Sequence, residues 1–334
     1  MAVKNTFLIC LFLLSGFIAF CQEEEKEETP PYQTMFDDPY DIRNLYIQFQ
    51  PLSGDIGALN ITGGYGVEAT YYHNSLFDLQ FAFRSSYGKR FNINRDAASN
   101  NATNTIDFPV NFNVELGGTY HIQDVMKEST SKVLLYAKQL KGREWASTIA
   151  RNAEINGKVR NVIGGRLGGM YYSSTANINS ILAVQNQELS YSDGIPVLDE
   201  KLYSNLQAFV IYVGGSYSWI RNYAVEFSER WDPSGDDQIL TPYFDIMVAP
   251  SITLQDVILG NETVSTETIN KLNLGFRGGV NVKFNRTLSW GYSVEGGIRP
   301  GIKKRGFFVV FKMSFPIYGR KLKTKETATV EPEN

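Results

Sequence analysis

The side chains able to do chemistry are few in this chain, and their places limit the reactions open to it. There are two histidines, His73 and His121. His73 stands in the tight turn His73-Asn74-Ser75, and His121 closes another strand-like run. A Ser-His-acid set needs its members within hydrogen-bond reach of one another. Alternating the connections from side to side puts both histidines opposite the long loops, away from where surface chemistry would be expected. Two histidines so far apart, with no acidic pair beside them, make no transition-metal site. Asp193, Asp199 and Glu200 share the longest loop. Paired-carboxylate chemistry stays open there, although an acidic loop more often is solvated or contacts divalent ions and lipopolysaccharide. Gly63-Gly64-Tyr65-Gly66 and Gly164-Gly165-Arg166-Leu167-Gly168-Gly169 lack the strand-turn-helix setting of a phosphate loop. The Asn-x-Thr triplets at Asn60, Asn101, Asn261 and Asn285 would matter only in a eukaryotic secretory route. No catalytic residue, cofactor or metal is assigned, and the chain is read as non-enzymatic.

What the sequence does hold in register is a set of charges. Glu68, Asp78, Glu115, Asp245 and Glu295 oppose Arg84, Arg166, Arg277 and Lys312, each on the polar parity of an alternating run. The runs that carry them are long. From Leu272 to Ile317 three follow almost without interruption. Leu274, Phe276 and Val280 alternate with Arg277 and Asn281; Trp290, Tyr292 and Val294 with Ser293 and Glu295; Phe307, Val309, Phe311, Met313 and Phe315 with Lys312 and Ser314. Period-two alternation gives a strand two unlike faces. Globular strands run roughly 5–6 residues, whereas a strand tilted across a bilayer needs about 9–11. Earlier runs repeat the pattern at Leu45–Phe49, Ile61–Tyr72, Phe77–Arg84, Phe108–Leu116, Val162–Tyr172 and Tyr243–Ser251, with Pro51 to Asn60 as a loop. Leu206–Tyr217 is apolar on both parities, so its facing is left unassigned.

The fold expected is therefore all-β: a transmembrane antiparallel up-and-down barrel of about 10 strands, within a range of about 8–12, with apolar side chains in lipid and polar ones in the lumen. A soluble secreted barrel with the faces reversed is the competing reading, because alternation alone does not say which face points inward. Nearly balanced lumen charges on neighbouring strands suggest cross-lumen pairing and a filled barrel, against the alternative of charges lining a wet passage.

Composition agrees. The net charge is −3, with no basic half, so nothing points to nucleic acid. Mean hydropathy is slightly polar, which rules out a helical membrane protein but not a barrel. Glycine (29), tyrosine (19) and phenylalanine (21) are abundant, as crowded lumens and interfacial girdles require.

The chain divides into a signal peptide (1–21), an acidic periplasmic segment (22–42), the barrel (43–318) and a disordered tail (319–334). Lys4, the apolar run Phe7–Phe20 and Ala19-Phe20-Cys21 point to cleavage before Gln22. Lipidation of Cys21 is the alternative, opposed by bulky Phe20. Cys10 and Cys21 both fall in the signal, leaving the mature chain without disulfide, thiol nucleophile or cysteine metal site. Two excursions on the periplasmic side, near 121–160 and 220–238, exceed what a turn needs. The first is either a folded hairpin or two further membrane strands; its density of Lys and Arg favours the hairpin, because such residues facing lipid cost about 2–4 kcal/mol each. Trp145 and Trp231 on these excursions are candidate partner contacts.

The signal ending Phe20-Cys21-Gln22 and the glycine- and aromatic-rich strands resemble outer-membrane β-barrel proteins of Bacteroidota-type bacteria. That resemblance implies an accessory or structural subunit of an outer-membrane secretion, assembly or surface-protein complex. Its partners would be outer-membrane lipid, lipopolysaccharide and other outer-membrane or periplasmic proteins. The alternative function is a narrow channel passing small solutes.

Overall fold

Period-two alternation is realised as ten antiparallel strands that close on themselves. They are β1 (Leu45–Gly57), β2 (Ile61–His73), β3 (Phe77–Ser86), β4 (Phe112–Lys141), β5 (Glu144–Asn177), β6 (Tyr203–Ile220), β7 (Gln238–Leu254), β8 (Leu274–Phe284), β9 (Gly291–Ile298) and β10 (Phe307–Arg320). Each pairs with its neighbour in sequence, and β10 closes the ring on β1, with Val310 opposite Asp55. The computed structural model describes residues 29–73, 75–105, 107–141, 144–191, 195–197, 200–228, 234–285 and 290–320, with side chains described throughout these except at 136–151 and 320. The signal segment with Cys10 and Cys21, Asp193, Asp199, Trp231 and the Trp145 side chain lie outside the described residues.

The faces sort by parity. Phe81, Leu116, Leu167, Val213, Ile246, Phe276, Val294 and Phe311 are exposed on the outside of the wall, while Glu68, Arg84, Glu115, Asp245 and Glu295 are buried within it. The reversed arrangement is thereby overturned. At the end where the described chain enters and leaves the wall, Tyr120, Trp219, Trp290, Tyr292 and Tyr318 are all exposed.

Several boundaries differ from the sequence reading. Pro51 to Asn60 is not a loop, because β1 runs on to Gly57. Its register against β2 shifts between Gln50 and Ser53, and a proline without an N–H is tolerated at such an irregularity. The fourth strand starts at Phe112 and not at Phe108. β4 and β5 also continue beyond their pairing with β3, which ends at Tyr120, and with β6, which starts at Arg160; at 30 and 34 residues they form one hairpin that adds no further strands to the ring. The 220–238 excursion contains two short strands, Tyr223–Phe227 and Ser234–Asp236, in a three-stranded sheet with Tyr32–Asp37.

The described residues form two compact units, each range counting its described members alone. One comprises Thr34–Ser129, Asn156–Val225 and the chain from Gly235 onward, and holds the barrel wall. The other comprises the chain up to Gln33, Thr130–Ile155 and Glu226–Ser234. Within the latter, Ser228 N donates to Pro31 O (3.0 Å), Tyr32 packs on Phe227, and Leu135, Ala153 and Ile155 are buried.

Among the described residues two α-helices occupy loops that the sequence reading left irregular, both at the end of the wall opposite the β2–β3 turn. α1 (Ile93–Asn101) is capped by Asn92, whose side chain accepts from Arg95 N. α2 (Ile178–Gln185) is capped by Asn177 and stopped at Asn186, which takes the left-handed conformation with φ 55°. Side-chain oxygens of this kind satisfy amides that a helix start leaves unpaired.

Candidate functional site in the barrel lumen

The inward parity of the wall builds three layers. The middle layer is ionic. Arg277 of β8 donates through Nε to Asp245 of β7 (2.9 Å) and through its terminal nitrogens to both oxygens of Glu115 on β4 (2.5 and 3.1 Å). Arg166 of β5 forks the same Asp245 (2.9 and 3.3 Å). Arg84 of β3 reaches Glu295 of β9 (3.0 Å) and Glu115 (3.5 Å), and Lys312 of β10 lies 3.9 Å from Glu295. The Arg84–Glu295 and Arg277–Glu115 pairs join strands that are not neighbours, so they cross the lumen. Tyr243 donates to Glu295 (2.6 Å), and its ring lies under Arg166 (4.3 Å); the Tyr212 ring lies under Arg277 (4.4 Å). Arg277 is 2% exposed and Asp245 fully buried. Removing one partner from a buried set of this kind strands the others, which is far costlier than losing a surface ion pair.

Close approach of the walls is what lets these groups meet. A Cβ on Gly117 of β4 or on Gly168 of β5 would run into the Tyr212 side chain, so both positions need glycine for the ring to lie across them.

Toward the helices the lumen turns apolar. Leu206, Ala208 and Val210 of β6 and Met247 and Ala249 of β7 form one buried cluster with Ile178 and Ile181 of α2, Leu189, Val257 and Val264. This gives β6 its facing: Phe209, Ile211 and Val213 point outward, and the even positions point inward onto the α2 loop.

At the opposite end Ile42 is buried with Tyr46, Tyr72, Val162, Ile220 and Ile239. Side-chain amides hold this segment in place. Asn222 donates to the carbonyls of Asp38 (3.0 Å) and Asp41 (2.9 Å), and Asn285 accepts from Arg43 N (3.0 Å) and the Tyr46 hydroxyl (2.9 Å). Nearby, Arg160 forks Asp124 (2.8 and 2.6 Å) and lies over the Tyr40 ring. Burial, and then the Asp124 charge, push the Tyr40 hydroxyl above its ordinary pKa.

Of the nine lumen charges named from the sequence, Arg84, Glu115, Arg166, Asp245, Arg277, Glu295 and Lys312 meet in the ionic layer. Glu68 and Asp78 stand apart from it. Glu68 accepts from the amides of Gln50 (3.0 Å) and Asn281 (3.4 Å), and Asp78 faces His121 Nε2 (3.2 Å). Sequence reasoning missed Tyr212 and Tyr243, and also Asp55, which pairs with Arg299 (2.9 Å). Lys283 is likewise absent from the nine charges assigned to the lumen. Lys283 is buried with its Nζ donating to Thr70 Oγ1 (2.9 Å). Asp55 was hidden because its stretch reads as a loop, and Tyr212 because its strand carries no facing signal.

Small polar cavities punctuate this filling, one of about 60 Å³ beside Arg84 and Arg299 and one of about 40 Å³ between Lys283 and Lys312. Among the described residues no group of His, Cys, Asp and Glu is arranged to hold a metal ion, and no helix is long and apolar enough to cross a membrane. No protein family, curated protein or solved structure matches the chain.

Proposed function

We propose that this chain is a non-enzymatic outer-membrane β-barrel of the Bacteroidota type that keeps its lumen closed and serves as an accessory or structural subunit of a secretion, assembly or surface-protein complex. A wall studded outside with exposed aromatic and aliphatic side chains favours a lipid surround, since soluble surfaces rarely carry so continuous an apolar patch. The observation that carries the accessory reading is a contrast. Seven strands send charged side chains into one ionic layer across the lumen. Yet β4 and β5, at 30 and 34 residues, far exceed the roughly 9–11 residues that crossing requires. Material is invested outside the wall, in the periplasm on this reading, and not in a passage through it. The partners are other outer-membrane or periplasmic proteins, with lipid and lipopolysaccharide around the wall.

A tagged pull-down from gently solubilised membranes, with stoichiometry by mass spectrometry, tests this. A stoichiometric partner is expected, lost when 130–155 is replaced by a tight turn while the heat-dependent gel shift of the barrel persists. A solitary monomer, or partner binding that survives the replacement, overturns the role given to the hairpin. The polar cavities favour a second reading, a narrow passage for small solutes. Steady large openings in a planar bilayer would establish that one in place of the closed lumen.

A further inference from the structure

We infer that the helix-bearing end of the lumen contains a binding site for a small free oxyanion of the inorganic phosphate class. Two adjoining cavities there, of about 60 and about 40 Å³, share Asp55, Tyr172 and Arg299 in their walls. Arg84 bounds the first and Arg305 the second. All three guanidiniums engage protein through their terminal nitrogens: Arg84 with Glu295 (3.0 Å), Arg299 with Asp55 (2.9 Å), and Arg305 with Ala58 O (3.1 Å) and Ser180 O (2.8 Å). In each of them Nε is buried with no partner, and so is Ser86 Oγ, which lines the first cavity. Arg84 is 8% exposed and Ser86 7%. Buried donors are rarely left without an acceptor. Four such donors on residues that line two adjoining cavities match a polyatomic oxyanion, which accepts through every oxygen.

Charge and size point the same way. Asp55 is the carboxylate of these walls and is already engaged by Arg299, while Arg305 has no acidic partner among its described contacts. Cavities of this size admit a few waters or one small ion, and exclude a sugar or nucleotide. The walls belong to the inward parity, so a lipid headgroup outside the barrel does not reach them and the ion is a free one.

Titration calorimetry of the purified barrel in detergent, with sodium phosphate against sodium chloride at matched ionic strength, tests the site. Saturable phosphate binding is expected, with a midpoint of thermal unfolding that rises with phosphate. Ser86→Ala and Arg299→Lys, which removes Nε but keeps the charge, should each weaken binding about tenfold or more. Lys303→Gln, exposed at the same end, should bind as wild type. The heat-dependent gel shift checks that each variant folds, and Ser86→Ala carries the test if Arg299→Lys does not. Binding no stronger than that of chloride, or Ser86→Ala binding as wild type, would overturn the site. Displacement of phosphate by purified lipopolysaccharide would overturn its assignment to a free ion.

Discussion

β6 and β8 flank the same strand, β7, yet present opposite interiors to it. The inward residues of β8 include Arg277, Asn281 and Lys283; those of β6 are Leu206, Ala208, Val210 and Tyr212. The change of character happens on β7 itself. Asp245 joins the ionic layer, and Met247, the next residue on the same face, joins the apolar cluster. The difference lies in what each strand faces across the lumen. Arg277 meets Glu115 from the far wall, whereas Leu206 and Val210 share a cluster with α2 and its loop. A lumen is not uniformly polar. Where a loop folds back into it, the inner face of the wall reads like the core of a soluble protein.

The comparison breaks most sharply at Arg277. Replacing it with Met removes the shared partner of Glu115, Asp245 and Glu295 and leaves three carboxylates to the other cations. A loss of about 3–5 kcal/mol is expected, read from urea unfolding in detergent. Adding Glu115→Gln should recover part of it, giving a coupling of about 1 kcal/mol or more. A cost for Arg277→Met below about 1 kcal/mol, the range of solvated ion pairs, would mean that water screens the layer and that the lumen is wet at its middle.

The apolar side of the comparison is sharpened by two leucines of opposite parity. Leu206 of β6 is fully buried inside and Leu167 of β5 is exposed outside. Leu206→Ala should cost about 3 kcal/mol, because a packed cluster cannot fully collapse into the gap. Leu167→Ala should stay within about 0.5 kcal/mol. Equal effects of the two substitutions would show that the α2 loop does not pack the lumen, and would return β6 to a strand without a defined inner face.

That contrast also marks how far the sequence could be read. β8, β9 and β10 are legible because their inner positions meet other polar groups, so alternation survives intact from Leu274 to Phe315. β6 loses its alternation to a loop about thirty residues upstream, and nothing local in Leu206–Tyr217 announces that contact. β1 was cut short at Pro51 because proline usually ends a strand, and the bulge that tolerates it is invisible without the register. The ionic layer was legible as parity but not as pairing. Glu68 and Asp78 share the parity of Glu115 and Glu295, yet amides and His121 take them up instead. Asn92 and Asn177 cap helices that the polar runs around them hide in the sequence.

The finest difference between the two interiors rests on one hydroxyl. Tyr243 belongs to β7, and its ring and its oxygen do separate things: the ring lies under Arg166 (4.3 Å) while the hydroxyl donates to Glu295 (2.6 Å). Phenylalanine keeps the first contact and deletes the second. Glu295 retains Arg84 and Arg277 within 3.5 Å and Lys312 at 3.9 Å, so its charge stays compensated. The loss is then one hydrogen bond to an ionised acceptor, about 1.5 kcal/mol. A charge-compensated layer predicts that Tyr243→Phe and Arg277→Met are not additive, since both act through Glu295. Strict additivity would instead place the hydroxyl outside the ionic layer and make Tyr243 a packing residue of the wall.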